Sequence, residues 1–230
     1  MPPAPAPDVV RVFAPAGQAA LDDPFGVAVS PQGDVWVADT GNNRVEELGP
    51  NGLQMSVLGA GLLDQPQRVA LDSQGDVWVS DTGNNRLVEF SPEGKVIAQV
   101  GGVGSGAGQF DDPTALAVSP QGNVYVADQD NNRVEELSSA GAYVSSIPVP
   151  TPDGVAIDSS GNIWVSSPSY AVGNAVYELS PTASQITTFG STQASFGAAV
   201  EHGGDCPHWS RSGPRRAAGI RLGDRVQPGR

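Results

Sequence analysis

The sequence predicts an all-β fold, a β-propeller of four-stranded antiparallel blades, and three observations predict it. The stretch GDVWVADTGNNRVEEL at 33–48 returns as GDVWVSDTGNNRLVEF at 75–90 and as GNVYVADQDNNRVEEL at 122–137. The turn glycines Gly33, Gly75, Gly122, Gly161 and Gly204 recur at spacings of 42, 47, 39 and 43 residues, and a period near 40 is that of a propeller blade. Each period holds several short runs rich in Val, Trp and Leu, the composition of strands.

In the first unit VAVS at 27–30, VWVAD at 35–39, RVEEL at 44–48 and MSVL at 55–58 are the expected strands. Ser30-Pro31-Gln32-Gly33 joins the first pair, with proline presetting the turn and glycine free to take positive φ. Gly49-Pro50-Asn51-Gly52 joins the third strand to the fourth, which completes an antiparallel meander. The second strand is apolar at nearly every position, so both faces of the sheet must be covered. Blades packed side by side supply that cover, and Trp36, Trp78, Tyr125 and Trp164 recur in phase as the expected interblade packing. The glycine-rich run GGVGSGAGQFDD at 101–112 lengthens one spacing. It lacks the Gly-Lys-Ser/Thr of a phosphate loop and leads into a strand, so it reads as a flexible linker.

Units are expected at 24–58, 65–100, 112–147 and 152–189, about four full blades, with a partial fifth at 196–205. Residues 1–8 form a Pro/Ala-rich start, and 9–200 the repeat domain. VVRVF at 9–13 looks like the last strand of a preceding blade, and the count of units implies an open arc with unpaired edge strands or a strained closure. An open arc favours self-association through its open blade edges. After Asp205 the pattern stops and residues 206–230 form a basic, irregular tail. Two readings stand: a shifted reading frame, favoured because the composition changes in the middle of a blade, and a tail that docks on an acidic surface.

Gly-Asp/Asn, Val-aromatic-Val, then Asp-x-x-Asn-Asn-Arg-Val resembles the NHL repeat family. Three units match strongly, and a fourth (GNIWVSS at 161–167) keeps the strands but not the polar loop. The resemblance implies a propeller, commonly six-bladed, that serves as a binding platform, with a few lyases among the relatives.

The candidate site is a rim of polar turns between second and third strands. It comprises Asp39, Asn42, Asn43, Arg44, Asp81, Asn84, Asn85, Arg86, Asp128, Asn131, Asn132 and Arg133. Asp and Asn also serve as turn residues, and Arg44 is placed to pair with Asp39, so most of this set is expected to be structural. What remains would contact a protein, peptide or glycan ligand. Asp128-x-Asp130-x-Asn132 begins like a calcium loop but has no glycine at the sixth place and Ser139 at the twelfth, which argues against calcium there. No metal or cofactor is expected.

The chain of 230 residues carries 12 basic and 25 acidic side chains, a net charge of −13. Residues 1–200 hold six basic against 22 acidic, which opposes a phosphate backbone and disfavours nucleic acid as partner. A single cysteine, Cys206, provides no disulfide framework. The start has no signal-like segment and no run of 18 apolar residues occurs, so no membrane contact is expected and a cytoplasmic location is the default. An incomplete N-terminus would instead suit an envelope or secreted protein. The only histidines, His202 and His208, lie beyond the last recognisable strand, and no nucleophile has a base beside it. The leading reading is a non-catalytic binding scaffold. The alternatives are the ligand-sensing region of a bacterial envelope protein and a metal-dependent propeller lyase.

Overall fold

The computed structural model describes residues 20–169, 173–181 and 185–190. The segments VVRVF, 196–205 and 206–230, with Cys206 and both histidines, lie outside the described residues. Among the described residues sixteen strands form four sheets, each an antiparallel meander in chain order. Blade 1 holds β1 (Pro24–Val29), β2 (Val35–Asp39), β3 (Arg44–Leu48) and β4 (Gln54–Leu58). Blade 2 holds β5 (Pro66–Leu71), β6 (Val77–Asp81), β7 (Arg86–Phe90) and β8 (Val96–Gly101). Blade 3 holds β9 (Pro113–Val118), β10 (Val124–Asp128), β11 (Arg133–Leu137) and β12 (Tyr143–Pro148). Blade 4 holds β13 (Gly154–Ile157), β14 (Ile163–Ser169), β15 (Gly173–Leu179) and β16 (Gln185–Gly190).

The first strand of blade 1 starts at Pro24, three residues before the expected Val27. A register shift between Pro24 and Val27 lets Pro24 face Asp39 although the hydrophobic alternation begins only at Val27. Equivalent irregularities sit at Pro66/Arg68 and at Asp128 opposite Pro113. The turn glycines behave as their sequence context demands: Gly33, Gly75, Gly122 and Gly161 have φ of 91°, 87°, 89° and 84°, where a Cβ is disfavoured.

Each sheet has a leading face, toward the preceding blade, and a trailing face, toward the next. Trp36, Ala38, Val45 and Leu58 on the trailing face of blade 1 pack on Val69, Val77, Val79, Val88 and Phe90 of blade 2. Trp78 and Leu87 of blade 2 meet Leu116, Val124, Val126 and Leu137 of blade 3. Tyr125, Val134 and Ile147 of blade 3 meet Ile163, Val165, Tyr177 and Leu179 of blade 4. The side-chain period of two splits the apolar β2-type strands between two interfaces, which is why they carry no polar face.

The same phase accounts for the two end faces. On the trailing face, the positions of Val45 (0% exposed) and Leu58 (3%) are taken in blade 4 by Val176 (38%) and Phe189 (51%). Trp164 there is only half-buried and stacks on Phe189 at 5.8 Å between ring centroids. On the leading face, Val69 and Leu116 are buried while their counterpart Val27 in blade 1 is 65% exposed. Val27, Val176 and Phe189 are thus exposed, whereas Val37, Glu46 and Leu48, on the same leading face of blade 1 as Val27, are buried.

Trp78 is the largest side chain buried to within 1%. Trp78→Ala is expected to destabilise the chain by about 3–5 kcal/mol, and Trp164→Ala by well under half of that, because its outer face is already wet. Urea denaturation of the two variants against wild type measures the difference.

Candidate functional site

The polar turn has one geometry in three copies. In blades 1 and 2 a single 3-10 turn, Thr40–Asn42 and Thr82–Asn84, follows the second strand and ends on an asparagine in left-handed conformation, Asn43 (φ 56°) or Asn85 (φ 54°). Asn132 (φ 55°) holds the same place in blade 3. Asparagine enters this region more readily than other side chains, which is the local reason for its recurrence.

The aspartate that opens the turn is the centre of the arrangement. Asp39, Asp81 and Asp128 are fully buried. Asp81 accepts the Asp64 backbone N–H at 2.6 Å, the Asn84 amide at 3.1 and 3.0 Å, and the Arg86 Nε–H at 2.7 Å. Asp39 takes the same donors from Asp22, Asn42 and Arg44, and Asp128 from Asp111, Asn131 and Arg133. Donors from three chain segments converge on each carboxylate, so a buried charge is compensated rather than orphaned.

The rest of the turn fastens one blade to the next. Thr40 and Thr82 donate to the Pro66 and Pro113 carbonyls of the following blade at 2.6 and 2.7 Å. Asn43, Asn85 and Asn132 accept the backbone N–H groups of Gln65, Asp112 and Thr151 at 2.7, 2.8 and 2.9 Å. Gln129 replaces the threonine in blade 3 and reaches the Asp153 carboxylate at 3.3 Å. The run 101–112, expected to be flexible, is pinned instead. Phe110 is fully buried, and Arg133 donates to the carbonyls of Ser105, Gly106 and Gln109. The extra residues of this linker bring those carbonyls within reach of one guanidinium.

The structure therefore places all twelve candidate rim residues at one end of the three blades. The aspartates are buried, the arginines half-buried with hydrogen bonds to linker carbonyls in blades 2 and 3, and the asparagines largely exposed yet engaged. The carboxylate of Asp128, the first residue of the calcium-like run, is occupied by its own donors. Between the rim turns of blades 1 and 2 lies a cleft of about 390 Å³, lined by Asp23, Phe25, Thr40, Gly41, Asn43, Asp64, Gln65 and Gln67. Phe25 is 52% exposed there, with the Arg68 guanidinium 4.7 Å above its ring. Its position in the repeat is filled by Gln67 and Thr114 in the next blades, so repeat phase alone does not flag it.

Two further carboxylates lie on leading faces, at a position taken by Val88 in blade 2. Glu46 pairs with Arg44, and Glu135 with Arg133 at 2.8 Å and with the Gly108 N–H at 2.6 Å. Burial pushes both above the ordinary carboxylate value of 4.5, against the opposing pull of their arginines.

The NHL repeat family model matches residues 21–47, 63–90 and 110–136, the stretches that run from each linker through the polar turn. These three blades are NHL repeats. No curated protein matches the chain significantly in sequence. Among solved structures, a streptogramin B lyase is 16% identical with a TM-score of 0.61, covering 77% of this chain and 57% of its own. A chain of a nidogen/laminin complex is 17% identical with a TM-score of 0.61, covering 73% and 64%. A putative gluconolactonase is 22% identical with a TM-score of 0.57, covering 71% and 62%. At these identities the likeness is one of fold, and the chain spans 57% to 64% of the length of these structures.

Asp81→Ala removes the acceptor shared by the Asp64 N–H, the Asn84 amide and the Arg86 Nε–H. It is expected to cost about 3–5 kcal/mol in chemical denaturation, with Arg86→Ala close behind. Glu135 sets a pH dependence of known sign. With its folded-state value raised above 4.5, its contribution is present below that pH and lost as pH rises through the folded value. Glu135→Gln should flatten the decline of melting temperature over that window.

Proposed function

We propose that the chain is a non-catalytic scaffold that binds a peptide segment of another protein at the rim, in the cleft between blades 1 and 2. The observation that carries this reading is Phe25. It is a large aromatic side chain half out in solvent, at the wall of a concave site whose other walls are polar backbone and amide groups. Aromatic anchors in pockets with a polar border dominate protein recognition. The cleft walls are held by the turns already described: Asn43 fixes Gln65 through its N–H, and Thr40 fixes Pro66 through its carbonyl. A preformed site of this kind loses little entropy on binding.

Asp23 and Asp64 border the cleft, which favours a peptide with a basic residue beside an apolar one. The rim asparagines and arginines act here by shaping the cleft rather than by touching the ligand. A chain from a nidogen/laminin complex shares the fold, which supports a role in protein contact.

Selection from a random peptide display library against the purified chain provides the probe. Recovered peptides should pair an apolar side chain with Lys or Arg. Phe25→Ser should weaken them at least about tenfold, roughly 1.4 kcal/mol, with the melting temperature unchanged because Phe25 is exposed. Equal binding by the variant and wild type would place the ligand elsewhere.

A further inference from the structure

The repeat is its own control for a carboxylate cluster at the other end of blade 2. Every blade puts a glutamate on the trailing face of its third strand, Glu47, Glu89, Glu136 and Glu178, beside the turn that joins its first two strands. In three blades a neutral donor serves that region. Ser56 donates to Glu47 at 2.7 Å. Asn123, Tyr125 and Ser145 donate to Glu136 at 2.8, 2.9 and 2.8 Å. In blade 4, Asn162 donates to Asp158 at 3.1 Å and to Glu178 at 3.5 Å, and the Trp164 indole reaches Asp158 at 3.2 Å.

Blade 2 lacks the donors that serve Glu47 in blade 1 and Glu136 in blade 3. Asp76 stands where Asn123 and Asn162 stand, Ala98 faces Glu89 where Ser56 and Ser145 face theirs, and Trp78 replaces the tyrosine. Asp72 takes the place that Ser30 and Ser119 hold. Three carboxylates, Asp72, Asp76 and Glu89, then bring oxygens within 4.8 Å of one another. The Asp72 side chain accepts the Gln74 and Asp76 N–H groups at 2.8 and 2.9 Å, which fixes its direction. Glu89 is only 6% exposed, and no described donor reaches its carboxylate. An unpartnered carboxylate on a side chain more than nine-tenths buried, close to two others, is costly unless a proton or a cation joins it.

The geometry points to a site for one hard divalent cation, of the calcium class, held by Asp72, Asp76 and Glu89. An all-oxygen, triply anionic donor set suits calcium and selects against metals that prefer nitrogen or sulfur. Asp72 also lines two open clefts of about 370 and 350 Å³, so the cluster reaches solvent on the Asp72 side. Burial, with Asp76 and Asp72 adding, raises Glu89 to about 7. The site fastens the β5–β6 turn to β7. Its role is separate from the rim cleft, and neither proposal depends on the other.

The test is calorimetric titration of the chelator-stripped chain with CaCl₂ at mildly alkaline pH, paired with thermal melting and repeated with MgCl₂. The expected result is one calcium per chain, a dissociation constant below about 1 mM, and a rise in melting temperature with calcium. Asp76→Asn should abolish binding and melt above the metal-free wild type, because its amide can donate to Glu89 as Asn123 does to Glu136. Glu89→Gln should weaken calcium at least about tenfold, and Asp34→Asn, at the matching place in blade 1, should bind as wild type does. The site is overturned by an absence of saturable uptake in wild type, or by uptake that Asp76→Asn and Glu89→Gln leave unchanged.

Discussion

The buried aspartate at the head of each polar turn is the constraint on which the rest of the structure depends. Asp39, Asp81 and Asp128 are fully buried, and a carboxylate in that position is tolerable only when donors surround it. The donors come from the incoming linker, the 3-10 turn and the third strand. Satisfying one charge therefore fixes three segments at once. The turn so fixed presents Thr40 or Thr82 and the left-handed asparagine to the next blade, so the same charge also sets how blades are joined.

Between the blades the repeat works as a two-faced hydrophobic surface. Alternate residues of β6 and β10 serve the preceding and the following interface, and Trp36, Trp78 and Tyr125 all look toward the next blade. Stability of this kind is a sum of like interfaces, and the end blades show what the sum lacks. Val27 and Phe189 are built as interface residues yet lie largely exposed.

Where the repeat departs from itself is where chemistry can arise. Phe25 stands in a place filled elsewhere by Gln67 and Thr114, and the change turns a polar position into an aromatic wall. Ala98 removes the serine donor that the glutamate has in blades 1 and 3, and Asp76 the asparagine donor that it has in blade 3. The polar motif that dominates the sequence is by contrast structural in every part that the hydrogen bonds reach. A search for function by repetition leads to the scaffold, and comparison of blades position by position leads to the exceptions.

Much of the fold was legible in the chain itself. The 40-residue period, the Pro-x-Gly turns and the strands with no polar face determine a stack of four-stranded blades, since local periodicity and turn chemistry are properties of neighbouring residues. The pairing of Arg44 with Asp39 was legible for the same reason, being a contact across one short hairpin. The buried glutamates, the pinning of 101–112 by Arg133, the cleft at Phe25 and the meeting of Asp72 with Glu89 were not. Each joins residues far apart in sequence or depends on which face of a strand meets its neighbour. Only the tertiary structure decided those, because burial and the convergence of charge are set by which blade packs on which, a relation that no single repeat contains.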